Sequence, residues 1–178
     1  GVETYKSSNT YQPLHTDYGY FSIDMNWSFF YCVEQADFGG ATTFIDADTI
    51  VEILSAGAPG LLKKLLETPI NFARSGNTYA KKQEAILSKD EKGWRINWNY
   101  YRALGDEGNK ELVEEFKAFL DEKVEKSGEL KALKLKPGEG VFFQDKRILH
   151  GRNSFIGNRH LNKGAICRED PAPYLLAS

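Results

Sequence analysis

Stretches dense in aromatic and β-branched residues lie toward both ends of this chain and bracket a helical middle, an order that constrains the fold more than any other feature. Near the front, 19–33 (GYFSIDMNWSFFYCV) reads as strand, 34–40 as a turn and 41–46 (ATTFID) as a second strand. At the back, KALKL alternates from residue 131, KPGEG turns at 136–140, and VFFQ at 141–144 restarts a strand leading into RILHGR at 147–152. Between them, Asp48 stands where a helix N-cap belongs, before Thr49 to Leu54. Pro59 precedes Leu61, Leu62, Leu65 and Leu66, whose spacing makes one apolar helical face. Leu112, Val113, Phe116, Phe119, Leu120 and Val124 recur at helical period, and Gly128 closes that run. The segment 69–101 mixes short β-favouring pieces with polar turns, and reads as irregular strands and mobile loops that allow a lid over a site. Without βαβ alternation, internal repeat or linker, the expectation is one mainly β domain over 1–178, an antiparallel sandwich or barrel with a helical insert.

Charge and composition exclude several functions. The 23 Lys+Arg against 25 Asp+Glu give a formal net charge of -2, without the basic excess that nucleic acid requires. No apolar run approaches the ~18 residues of a membrane span, and neither a secretory leader nor a lipidation box is visible, so no membrane partner and a cytoplasmic location are expected. Cys32 and Cys167 sit far apart in apolar stretches and read as buried free thiols of a reducing compartment. Oligomeric state is left open, with a homo-oligomer allowed.

Three histidines carry the chemical argument. On an extended strand residues i and i+2 face the same side, so His15 and Asp17 present an imidazole and a carboxylate together. A His-x-Asp pair plus one distant histidine is the set that holds Fe(II) on one face, and His150, at the end of an apolar strand, is the third candidate. The same three residues would also serve a zinc-dependent hydrolase, or be hydrogen-bonded core groups. Arg152 faces the same side as His150, where it either holds a substrate carboxylate, supports the metal surroundings, or pairs with Asp145 or another carboxylate. Tyr18 and Tyr20, close to the ligand pair, are candidates for substrate contact; Trp98, Tyr100 and Tyr101 form a second aromatic cluster that lines a pocket or belongs to the core. His160 should point away from the site and be structural or exposed. Gly39 and Gly40 suit a tight turn against another element, and no phosphate-cradling loop is present.

HTD at 15–17, GGATTFID at 39–46 and KPGEGVFFQDKRILHGRNSFIGNRHL at 136–161 resemble the taurine dioxygenase-like (TauD/TfdA) superfamily of Fe(II)/2-oxoglutarate oxygenases. The last block is most similar to the γ-butyrobetaine and trimethyllysine hydroxylase branch. The resemblance implies a double-stranded β-helix (jelly roll, cupin-like) with flanking helices, iron bound by His15, Asp17 and His150, and O2 and 2-oxoglutarate as co-substrates. It further implies that Arg159 clamps the distal carboxylate of 2-oxoglutarate, with Thr42 hydrogen-bonded to the same group. Hydroxylation of a small polar, amino-acid-like or betaine-like molecule follows, with succinate and CO2 as products; the retained Asp17 carboxylate argues against chlorination. The alternative from another class is a non-catalytic β-helix ligand-binding module. Family members carry a longer region before His-x-Asp than the 14 residues that precede His15 here, so the expectation is a fragment lacking an N-terminal portion, a short form, or a chain whose N-terminal part is undetermined.

Overall fold

A computed structural model describes residues 8–74, 81–103 and 106–168. The elements run β1 (Gln12–His15), β2 (Trp27–Glu34), β3 (Phe38–Gly39), β4 (Thr42–Asp46), α1 (Ala47–Gly57), α2 (Pro59–Glu67), β5 (Pro69–Ala73), β6 (Lys81–Ala85), β7 (Leu87–Asp90), β8 (Gly93–Ile96), α3 (Tyr100–Ala103), α4 (Lys110–Phe119), β9 (Lys131–Leu133), β10 (Gly140–Phe143), β11 (Ile148–Arg152), β12 (Phe155–Ile156) and β13 (His160–Ile166). A four-stranded sheet, β1-β11-β4-β9, faces a three-stranded one, β10-β2-β13, and β12 pairs with β3. All of these pairings are antiparallel, and the architecture is a mainly β jelly roll with flanking helices.

Alternation along the strands sorts their side chains into two cores. Leu149 and Ile45 turn outward from the four-stranded sheet and join Ile50, Leu54, Leu65, Val113 and Phe116 of the helices in the larger cluster. Burying each such side chain contributes about 1.5–3 kcal/mol. The opposite face of the same sheet looks into the jelly roll, where Phe30, Cys32, Leu135 and Phe143 form a smaller cluster with Phe44, Val141, Ile148 and Leu161 packed against it. Cys32 is buried and Cys167 partly buried, and both are free thiols. Among the described residues no helix is long and apolar enough to cross a membrane.

Several local expectations change. Strand structure does not begin at residue 19 but at Trp27, because 17–23 is bent or turned and Asp24 is engaged by Lys82 and Arg95. The N-cap of α1 is Asp46 rather than Asp48: Thr49 N donates to Asp46 Oδ1 at 2.7 Å, and Asp48 sits in the first turn, where negative charge suits the helix dipole. The strands expected within 69–101 are regular and pair as β5–β6 and β7–β8. Ile70, Phe72, Ile86, Leu87 and Ile96 are almost wholly buried there, so the hairpins form part of the core and not a lid; 75–80 lie outside the described residues. Trp98 is also core, edge-on to Phe116 at 4.8 Å.

Candidate metal centre

The geometry of the site begins with an irregularity in β1. Gln12 pairs with Arg152, but His15 pairs with His150, so β1 carries one residue more than β11 over this stretch. Such a bulge re-aims a side chain, and here it sets the two imidazoles opposite one another with ring centroids 4.3 Å apart. Pro13 lies in the bulge, on a strand paired on one side only, where its missing N–H costs nothing. Its carbonyl accepts a hydrogen bond from His15 Nδ1 at 2.8 Å, which leaves Nε2 as the ring's lone-pair donor. Gly151 permits the close approach of the two strands: a Cβ there would stand 2.7 Å from Gln12 O.

Asp17 reaches the same point by a different route from the one expected. β1 ends at His15, and Asp17 occupies a bend instead of an extended strand. The bend is held from two directions. Asp145, in the turn between β10 and β11, accepts Asp17 N at 2.9 Å and Tyr18 N at 3.0 Å. Thr16 N and Oγ1 donate to Trp98 O at 2.6 and 3.1 Å, and Asn97 Nδ2 donates to Gly19 O at 2.9 Å. As a result Asp17 Oδ1 lies 3.4 Å from His15 Nε2 and Oδ2 lies 3.6 Å from His150 Nε2. One donor atom from each of His15, Asp17 and His150 falls within 4.8 Å of the others, a separation that lets the three share one cation.

Electrostatics suit a cation there. Burial alone would raise the Asp17 carboxyl, but His150, His15 and Lys163 outweigh it and hold the group well below the usual carboxylate range. Burial, reinforced by His15, pushes His150 down to about 3, so its ring is neutral, the form that binds metals. Among the described residues His150 Nδ1 is buried without a hydrogen-bond partner, and Phe30, Phe143 and Phe44 surround the ring at 5.3, 5.1 and 6.5 Å. Two imidazoles and an ionised carboxylate against an apolar wall therefore fit a divalent transition metal. Asp145 is raised to about 6 by burial and by the charge of Asp17, despite the two amides it accepts.

The remaining candidates divide. Thr42 and Arg152 pair in register on the interior face that also carries His150. Arg159, at the entry to β13, donates from Nε to Gly40 O at 3.0 Å and from Nη2 to Thr42 Oγ1 at 3.2 Å. Both acceptors are neutral, and burial together with the charge of Arg152 brings the Arg159 guanidinium down to about 10. Gly40 has φ +72, and a Cβ there would meet Arg159 Cδ at 3.1 Å. Arg152 Nη2 donates to Ser8 O at 2.7 Å and Thr10 O at 3.0 Å, while Asp145 accepts the amides of the bend. Tyr18 is half-buried beside Asp17, and its phenol is pushed up to about 12 by burial and by Asp17 and Asp145. Tyr20 is not gathered with the imidazoles: its ring lies in the helix-side core, stacked on Phe21 at 4.8 Å and under the Arg102 guanidinium. His160 is exposed. Lys163, Asn97 and Asn99 support the site and escaped the sequence analysis, which considered Asp145 only as a partner for Arg152 and not as the acceptor of the Asp17 and Tyr18 amides.

Fold and geometry together define a jelly-roll protein with a His-Asp-His cluster between its sheets. The chain belongs to the taurine catabolism dioxygenase TauD, TfdA family, whose model matches residues 2–164. It is 27% identical to the γ-butyrobetaine dioxygenase of Homo sapiens over 160 residues, 84% of this chain and 41% of that protein. It is 27% identical to the mitochondrial trimethyllysine dioxygenase of Gallus gallus over 176 residues, 88% of this chain and 40% of that protein. The chain thus spans about two fifths of the length of these curated relatives. Among solved structures, an asparagine oxygenase in complex with Fe(II), 2S,3S-3-hydroxyasparagine and succinate superposes with a TM-score of 0.69 at 14% identity, over 89% of this chain and 50% of that one. The non-heme iron oxygenase OrfP in complex with Fe and α-ketoglutaric acid gives 0.64 at 15% identity, over 91% and 51% of the respective chains.

Proposed function

We propose that this chain is an Fe(II)- and 2-oxoglutarate-dependent dioxygenase that hydroxylates an aliphatic carbon of a small polar, amino-acid-like or betaine-like substrate, releasing succinate and CO2. One observation carries the reading: Arg159, bonded to Thr42, belongs to the same interior as the His15, Asp17 and His150 cluster. A metal-binding set alone would serve a hydrolase. A partly buried cation set apart from it supplies the further element that a 2-oxo dicarboxylate needs, with its chelating end at the ion and its distal carboxylate at the guanidinium.

Bound Fe(II) supplies the coupling of 2-oxoglutarate decarboxylation to insertion of one oxygen atom from O2 into a C–H bond. The residues do the rest. His15, Asp17 and His150 hold the ion on one side, and the aromatic wall of Phe30, Phe44 and Phe143 keeps water from the rings. Arg159 and Thr42 fix the far end of the co-substrate, which sets its orientation. Tyr18 and Arg152 are the groups we assign to the substrate side, with Arg152 anchored on Ser8 and Thr10 carbonyls. The relatives named for γ-butyrobetaine and trimethyllysine, and the neighbour holding 3-hydroxyasparagine, support the substrate class. Two free cysteines agree with work in a reducing compartment such as the cytoplasm.

Anaerobic addition of Fe(II) and 2-oxoglutarate tests the proposal: a visible metal-to-ligand charge-transfer band is expected, and His15→Ala should abolish it. A binding module or a zinc hydrolase gives no band, and its absence from the unsubstituted protein refutes the reading. Succinate release stimulated by one member of an amino-acid and betaine panel then identifies the substrate.

A further inference from the structure

The inner face of β13 holds a cation opposite an aromatic ring of the site. Lys163 pairs in register with Phe30, whose ring lies against His150 at 5.3 Å. Its Nζ donates to both carboxylate oxygens of Asp17, at 2.9 Å to Oδ1 and 3.0 Å to Oδ2. The Asp17 side chain is 12% exposed and that of Lys163 36%, so the ammonium approaches from the open side. The imidazoles approach a different oxygen each, His15 at Oδ1 and His150 at Oδ2. Asp17 is therefore shared between two imidazole rings and the Lys163 ammonium, and an ion taken up between the rings must take an oxygen that Lys163 now holds.

We infer that Lys163 keeps Asp17 a one-oxygen ligand, retaining one carboxylate oxygen while the other goes to the divalent ion. A carboxylate binds such ions through either one or both oxygens. Through both, Asp17 would fill one of the positions that a chelating 2-oxo acid and O2 need, and the facial set would lose its open face. An ammonium hydrogen-bonded to the second oxygen opposes that arrangement. It also repels the ion, so the same residue lowers metal affinity while it raises affinity for the co-substrate. This role rests on the proposed oxygenase function, and it makes Lys163 a positioning residue acting through Asp17.

Opposite movement of two affinities is the signature. Lys163→Met should bind Fe(II), titrated anaerobically by calorimetry, about threefold or more tighter than the unsubstituted protein. The same variant, saturated with Fe(II), should bind 2-oxoglutarate about tenfold or more weakly, followed by the charge-transfer band. Lys163→Arg, which keeps a cation and its donors, should hold 2-oxoglutarate within about threefold of the unsubstituted protein. Unchanged 2-oxoglutarate affinity in Lys163→Met overturns the inference, as does a joint loss of metal and co-substrate affinity, the mark of structural damage. A missing band in the unsubstituted protein sinks the oxygenase proposal instead, so the two failures are distinguishable.

Discussion

Asp145 is the residue on which the placement of Asp17 depends, and its removal separates stability from metal binding. The carboxylate is fully buried and accepts two successive amides, Asp17 N at 2.9 Å and Tyr18 N at 3.0 Å. Hydrogen bonds to a charged acceptor contribute about 1.5–3 kcal/mol each, so the pair is worth roughly 3–6 kcal/mol in gross terms. Against this stand burial and the charge of Asp17, which raise the carboxyl to about 6 in spite of those two amides. Asp145→Ala relieves that second contribution as it loses the first, and the net loss of folding stability should be only about 1–2 kcal/mol. Metal affinity has no such offset, because a freed bend no longer aims Asp17 between the rings; a loss of about 10–100-fold is expected. Asp145→Asn, ordinarily the mild substitution, should do no better: its amide oxygen accepts one N–H while its NH2 confronts the other, a buried donor against a donor costing about 1–3 kcal/mol. Urea unfolding at pH 7 and anaerobic Fe(II) titration of both variants measure the two quantities. Folded variants with unchanged Fe(II) affinity would show that the Thr16–Trp98 contacts alone orient the bend, and the reasoning would fail.

Three further outcomes are expected. Gly151→Ala places a Cβ 2.7 Å from Gln12 O and 3.1 Å from Thr43 Oγ1, which forces β1 off β11; a stability loss of about 1–3 kcal/mol and metal binding weakened about tenfold should appear together, and preserved metal binding would count against the argument. Arg159→Met should weaken 2-oxoglutarate about 100-fold and leave Fe(II) affinity within about threefold, whereas equal loss of both would assign Arg159 a structural role. Asp24, although burial pushes it up, is held below the usual carboxylate range by Arg95 at 2.6 Å, Lys146 at 3.5 Å and Lys82 at 3.0 Å, so its contribution to stability is fully present above the unfolded carboxyl range, shrinks as pH falls below about 4 and is lost only as pH falls through the depressed folded value. Because Asp24 is 38% exposed, screening reduces the effect, and Asp24→Asn should cost about 1–2 kcal/mol at pH 7 and a smaller but still measurable amount at pH 3; a gap that does not narrow at all as pH falls would remove the pairing as its cause.

Legibility of the site in the sequence follows the range of the interaction. His15 and Asp17 stand two positions apart, and their pairing was visible, although the local reason was a bulge and a bend and not an extended strand. Thr42 and Arg159 come together because β4 and β13 are brought to one interior, a relation supplied by the family resemblance and not by period. Asp145 and Lys163 act on partners 128 and 146 residues away, and nothing local marks a lysine on a β-strand as facing inward. Tyr20 shows the converse: near the ligand pair in sequence, it follows the turn at Gly19 into the helix-side core. The hairpins of 69–101 were obscured by their polar turns, while the buried alternation of Ile70 and Phe72 covers too few residues to outweigh them.

The candidate metal centre and the helix core are joined through β11, because each residue of that strand serves one side or the other. Leu149 is fully buried in the cluster that includes Leu54, Leu65 and Phe116, and the next residue, His150, turns the other way into the jelly roll. A slip of one residue in the β11–β4 register would exchange those faces, putting leucine among the site residues and an imidazole among the helices. Such a slip is opposed by the whole helix-side core, where each large side chain resists displacement by about 1.5–3 kcal/mol. The helices hold the strand that presents His150, and the bulge in β1 then has a fixed partner against which to aim His15.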